Sequence, residues 1–135
     1  MSITFHRQFV EDILKGDKTE TRRLWKERTA NTFMSYWRTG KIIKAKLNWR
    51  KIEFFAKLKV IEVRHEPACQ MDSGSCCREG FPELSAIEFL DEALIPINAH
   101  KLVDGDRMSL WVDGVARNGY NLYVVRFKVV GGPGP

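Results

Sequence analysis

Gly16-Asp17-Lys18-Thr19-Glu20-Thr21-Arg22-Arg23 is the stretch from which the fold and the site are read. The residues before it, Phe5 to Lys15, place Phe9, Val10, Ile13 and Leu14 at helical spacing, which predicts a short amphipathic helix. Gly16 suits the left-handed position that closes such a helix. A chain leaving that turn ejects Lys18, Thr21 and Arg23 together, giving a cation, a hydroxyl and a planar two-pronged donor at one pocket rim. Those groups suit a phosphate, a nucleobase edge or a developing oxyanion. The plain alternative is a solvated helix exit, since lysine, threonine and arginine are common on surfaces.

The wider chain favours a site. Ile3-Thr4-Phe5, the helix end Asp12-Ile13-Leu14-Lys15-Gly16, and the run Gly-x-Lys-x-x-Thr-x-Arg at Gly16, Lys18, Thr21 and Arg23 resemble the ASCH domain. Glu79-Gly80-Phe81 is similar to a second element of that family, a glutamate opening a short segment before a helix. Tyr123 to Lys128 resembles its closing strand. The resemblance spans residues 3 to 130, strongest over 3 to 23 and loose over 24 to 78. It implies an α+β, mainly β fold: a PUA-like small β-barrel with short flanking helices.

Composition agrees with one globular domain. The 135 residues are 44% hydrophobic and 29% charged, enough for a core without disulfide or metal support. No apolar run approaches the roughly 20 residues that cross a bilayer. The N-terminus lacks the basic-then-apolar pattern of a secretory signal, so a cytoplasmic location and no membrane partner are expected. Cys69, Cys76 and Cys77 read as free thiols, and their spacing with His65 matches no recognised zinc pattern; no metal and no cofactor are expected. No obligate protein partner is evident. The tail Gly131-Gly132-Pro133-Gly134-Pro135 is expected to be mobile.

Charge is unevenly placed. The net +5 hints at a polyanionic partner. Residues 38 to 59 carry eight basic side chains and one acid, whereas residues 79 to 92 carry five acids and no base. Period-two alternation predicts strands over 41–50, 54–63, 107–113 and 121–130, with a further extended piece after Thr21. Helices are predicted over about 82–94 and 28–37, and Asp113-Gly114 and Asn118-Gly119 read as turns. If 41–50 and 54–63 pair, Lys44, Lys46, Lys57 and Lys59 form a basic stripe. That stripe either meets an RNA backbone or keeps a sheet edge soluble. Trp25, Tyr36 and Trp37 lie near the basic segments, where they either stack on bases or pack; packing is the reading preferred for Trp49.

The resemblance implies RNA or a modified nucleoside as partner. Some bacterial proteins similar in this motif hydrolyse the acetamide of N4-acetylcytidine to cytidine and acetate. Carried over, Lys18 would be the base, Thr21 the nucleophile and Glu79 the acid partner, with Arg23 and Arg22 holding the substrate. Lysine serves as a base only when neutral, which at neutral pH needs about 4 kcal/mol of bias against the ammonium. Arg22, Arg23 and burial would supply bias in that direction, and Glu79 would oppose it. Whether the chain is an enzyme therefore stays open at this stage. The alternatives are an RNA-binding module without catalysis and, with less support, a metal-free ribonuclease. Extra sequence over 24–40 and 64–78 either caps or opens the pocket.

Overall fold

Alternating burial builds the sheet and two glycines set its site. In chain order the elements are β1 (Ser2–Thr4), α1 (Val10–Lys15), β2 (Glu20–Trp25), α2 (Glu27–Thr39), β3 (Ile42–Lys46), β4 (Ala56–His65), α3 (Ser73–Glu79), α4 (Ala86–Phe89), α5 (Ile95–Ile97), α6 (Asp106–Val112) and β5 (Asn121–Gly131). The computed structural model describes every residue from Met1 to Pro135. Its five strands form one sheet in the order β1-β3-β4-β5-β2, with β1 parallel to β3 and all other neighbours antiparallel. No helix is long and apolar enough to cross a membrane.

The sheet separates two cores. Ala56, Leu58 and Val60 of β4 join Tyr123, Val125 and Phe127 of β5 in one, sealed by Phe5, Phe9, Ile13 and by Ala30 and Phe33 of α2. A bulge between Val60 and Glu62 resets the alternation, so Val63 also points inward while Ile61 is left exposed. On the opposite face Leu24 and Leu122 meet Cys76, Phe89, Leu90, Leu94 and Leu110. Strand β2 serves both sides, because successive side chains of a strand point to opposite faces. Leu24 enters the second core, and Trp25 stacks on Phe33 of α2 with ring centroids 4.3 Å apart.

The sheet is strongly curled into a half-barrel. Its two outer strands, β1 and β2, are tied by a side chain: Arg23 Nη2 donates to the Thr4 carbonyl at 2.7 Å. Closing the gap with an arginine rather than a strand leaves room for a cavity at that seam.

The expected α+β barrel with short helices is the fold found, and three of its strands fall where alternation placed them. Residues 107–113 are the exception, forming helix α6 instead of a strand. Of Met108, Leu110 and Val112, only Leu110 is buried, so the apparent alternation marks no sheet face. Gly105 turns the chain at φ 89°, and the buried Asp106 carboxylate accepts from the Val103 and Arg117 backbone N–H groups, which starts the helix. Helix α3 occupies a stretch that carries no apolar periodicity, and its Asp72-x-x-Ser75 capping box supplies the start signal. Trp49, for which packing was preferred, is 68% exposed beside Arg50. The tail lies along Phe54, where Gly134 exchanges two backbone hydrogen bonds with that residue.

Gly114 is a close-contact position. At φ +72° it faces the Glu66–Pro67 backbone, and an added Cβ would meet Pro67 atoms at 3.0 Å. Gly119 shares the positive φ but faces open space. Chemical denaturation should show Gly114→Ala costing clearly more than Gly119→Ala, about 2–3 kcal/mol against about 1 kcal/mol. Equal losses would mean that the contact with the Glu66–Pro67 backbone carries no weight.

Candidate functional site

Two left-handed glycines aim the site. Gly16 closes α1 at φ 84°, and the Asp17 and Lys18 amides both donate to the Asp12 carbonyl, which turns Lys18 inward. Gly80 closes α3 at φ 94°, immediately after Glu79. The two turns bring Lys18 and Glu79 together across 61 positions of sequence.

Lys18 Nζ is fully coordinated. It donates to the Glu20 carbonyl at 2.8 Å, the Glu79 carbonyl at 2.7 Å and Glu79 Oε1 at 3.0 Å, and lies 4.7 Å from the Phe9 ring centroid. Burial pulls its pKa below the ordinary lysine value, and the Glu79 carboxylate opposes that pull. Three acceptors match the three N–H bonds of an ammonium, whereas a neutral amine would turn its lone pair on one of them. The geometry therefore holds Lys18 as a cation.

Arg22 is the hub of a buried network. Nη1 reaches Glu20 Oε2 at 3.3 Å and Glu79 Oε2 at 3.1 Å, and Nη2 reaches Glu66 Oε1 at 3.1 Å. Burial works against its charge, but Glu79 foremost, with Glu66 and Glu20, holds its pKa above the ordinary arginine range. The outer oxygens of the glutamates are covered by more exposed arginines: Arg78 Nε on Glu20 at 2.8 Å and Arg64 Nε on Glu66 at 2.9 Å. Arg22, expected beside Arg23 as a substrate contact, borders the cavity with both terminal nitrogens committed to glutamates.

Thr21 and Arg23 sit together. Arg23 Nε donates to Thr21 Oγ1 at 3.1 Å, leaving the hydroxyl proton free, and its guanidinium carbon lies 5.1 Å from the Phe5 ring centroid. Burial lowers the Arg23 pKa to about 10, against a smaller opposing effect of Glu79, so it is still a cation at neutral pH. Lys18 makes no hydrogen bond to Thr21; its three contacts are those given above.

Lys18, Thr21, Arg22, Arg23 and Glu79 all line one cavity of about 550 Å³ at the β1–β2 seam. Phe5, Phe9, Trp25, Phe81 and Phe89 supply apolar walls, and the segment after α5 adds Asn98, His100 and Lys101. Motif spacing located the first set. Lys101 and Asn98 carry no local signal, since only tertiary folding brings them to the rim. Glu20 and Glu66 stand outside the motif, although Glu20 lies two residues from Arg22 and so shares its strand face.

The four lysines of the stripe lie elsewhere. Lys44 pairs with Lys57 across β3 and β4, Lys59 stands opposite Ile42 and Lys128, and Lys46 Nζ binds the Lys51 carbonyl at 2.7 Å. Lys44 and Lys57 both approach the Phe54 ring, at 5.0 and 5.9 Å from its centroid. None of the four lines the cavity. Cys69, Cys76 and Cys77 are free thiols, with Cys76 buried, and no three His, Cys, Asp or Glu side chains converge as a metal site.

Solved structures repeat this architecture. An ASCH domain from Lactobacillus crispatus JV V101 aligns over 90% of this chain and 70% of its own, with TM-score 0.55 and 19% identity. The fold is that of the ASCH domain. The hypothetical protein PH0355 aligns over 94% of this chain and 95% of its own at TM-score 0.54 and 15% identity. EF3133 from Enterococcus faecalis V583 aligns over 92% and 68%, at TM-score 0.52 and 13% identity. No family model and no curated protein matches the sequence.

Removing the hub takes one cation from each of three buried carboxylates, leaving Glu79 with Lys18, Glu20 with Arg78 and Glu66 with Arg64. Arg22→Met should cost about 3–5 kcal/mol, while Arg78→Met, at the solvent-facing end of the same network, should cost about 1 kcal/mol or less. Urea melts of the two variants check this; similar losses would mean that Arg22 does not organise the site.

Proposed function

We propose that the cavity recognises a nucleotide of RNA or a modified nucleoside. The observation that carries this reading is the pairing of aromatic walls with fixed cationic donors in a space of about 550 Å³. A flat base suits Phe5, Trp25 and Phe81, and its polar edge suits Arg23 and Thr21. Volumes of about 300–1,000 Å³ are typical of small-molecule sites.

A hydrolytic form of the reading uses the same residues. Thr21 Oγ1 would attack the acetyl carbon of N4-acetylcytidine, its proton passing to Lys18 in the neutral form while Arg23 donates to the oxyanion. The cytidine amine would leave with that proton, and water would release acetate from Thr21. For this Lys18 must give up its extra proton and one of its three contacts, a demand that favours recognition without turnover. The Lys44–Lys57 pair supports a separate contact with the backbone of a longer RNA, because like charges placed opposite in a sheet gain from a shared anion.

Calorimetric titration with N4-acetylcytidine should give saturable binding, and chromatography of the same mixture should show the ligand unchanged. Cytidine release that disappears in Lys18→Ala would establish the hydrolytic form instead, and absence of binding would contradict the reading. For single-stranded RNA, Lys44→Gln with Lys57→Gln should lower the salt slope of log affinity by about 0.7, the value for one shared phosphate contact. An unchanged slope would remove the stripe from the interface.

A further inference from the structure

The cavity is electrostatically incomplete. Arg7, Lys18, Arg22, Arg23 and Lys101 line it, and Glu79 is its sole acid. Glu79 is already bound by Lys18 and Arg22. Arg23 and Lys101 form no ion pair with any carboxylate: Arg23 binds Thr21 Oγ1 and the Thr4 carbonyl, and Lys101 Nζ binds the Leu24 carbonyl at 3.0 Å. Arg23 Nη1 has no protein partner, yet it is not sealed from solvent, since the one buried unpartnered side-chain nitrogen in the molecule is Arg22 Nε. Nη1 therefore keeps some access to solvent, on a residue that lines the cavity. The buried network beside this rim pairs Lys18 and Arg22 with carboxylates; Arg23 and Lys101 have no such counter-charge.

We propose that Arg23 and Lys101 form an anion subsite for the phosphate monoester of a nucleotide, which rests on the nucleotide reading above. The guanidinium offers a planar donor edge, the ammonium adds a point charge, and a phosphate dianion matches the two charges. Burial and mutual repulsion both act on this pair, since burial and then Arg23 lower the Lys101 pKa. An anion between them would relieve that repulsion. The delivery of Lys101 is built into the fold: a π turn over Leu90–Leu94 widens the helix at the cavity wall, and α5 then carries the chain to Asn98 and Lys101. Such turns are frequent at functional sites. The aromatic walls would hold the base and the rim would hold the phosphate, so a nucleotide or RNA end would bind more tightly than the bare nucleoside.

Calorimetry at low salt with cytidine, cytidine 5′-monophosphate, cytidine 3′-monophosphate and inorganic phosphate tests this. One monophosphate should bind about tenfold or more tighter than cytidine, the scale of a charge-assisted contact. In Lys101→Met that advantage should fall to about twofold or less. Lys101→Met carries the test because Arg23 also ties β2 to β1; Arg23→Lys, which keeps the charge but loses the planar donor, should reduce the advantage in part. Equal affinity for cytidine and both monophosphates overturns the subsite while leaving nucleoside recognition intact. Inorganic phosphate binding as tightly as the nucleotide overturns it in favour of a free-anion site. No binding of any probe overturns both this subsite and the nucleotide reading.

Discussion

The contact between Lys18 and Glu79 is the constraint on which the site depends. Both side chains are almost completely removed from solvent, where an unpaired charge costs several kcal/mol. Once one is buried the other must be present, and so must the acceptors that use up the remaining N–H bonds. This requirement locks the exit of α1 to the end of α3. It also explains why each of these helices ends in a glycine at positive φ, since another residue type would strain the turn that points Lys18 or Glu79 inward.

Arg22 extends the same logic through β2. A strand alternates its faces, so Thr21 and Arg23 turn to the seam while Glu20 and Arg22 turn to α3 and the second core. One face presents free donors to the cavity; the other spends its charges within the protein. Replacing a buried ion pair with apolar residues can stabilise a protein, so networks of this kind are poor evidence of stability selection. Here the network gives position: it fixes the strand that carries Thr21 and Arg23 against the helix that carries Glu79. The contrast between compensated charges inside and uncompensated charges at the rim is what the proposed anion subsite rests on.

Much of this was legible in the sequence where local rules act alone. The Gly16–Arg23 run pointed to residues that the fold brings to one cavity, and the long alternations placed strands β4 and β5. Residues 107–113 misled because Met108, Leu110 and Val112 mimic alternation while two of the three face solvent; the Gly105-Asp106 turn, not the apolar spacing, decides that segment. Strand β1 is only three residues long and finds its place by parallel pairing with β3, a tertiary event. Trp49 was misread because exposure depends on where the β3–β4 connection projects. Glu66 and Lys101 could not be read at all. Each joins the site through folding of segments 44 and 77 positions from the residues they touch on β2.

The central claim is that ligand enters at the β1–β2 seam, among Thr21, Arg23, Glu79 and Phe81. Nuclear magnetic resonance of nitrogen-15-labelled protein titrated with cytidine 5′-monophosphate addresses it most directly. Resonances of Thr21, the Arg23 side-chain Nε–H, Gly80, Phe81 and Asn98 should shift together along one saturable curve, with Lys44 and Lys57 unmoved. Shifts confined to the Lys44–Lys57 face, with the seam silent, would contradict the account.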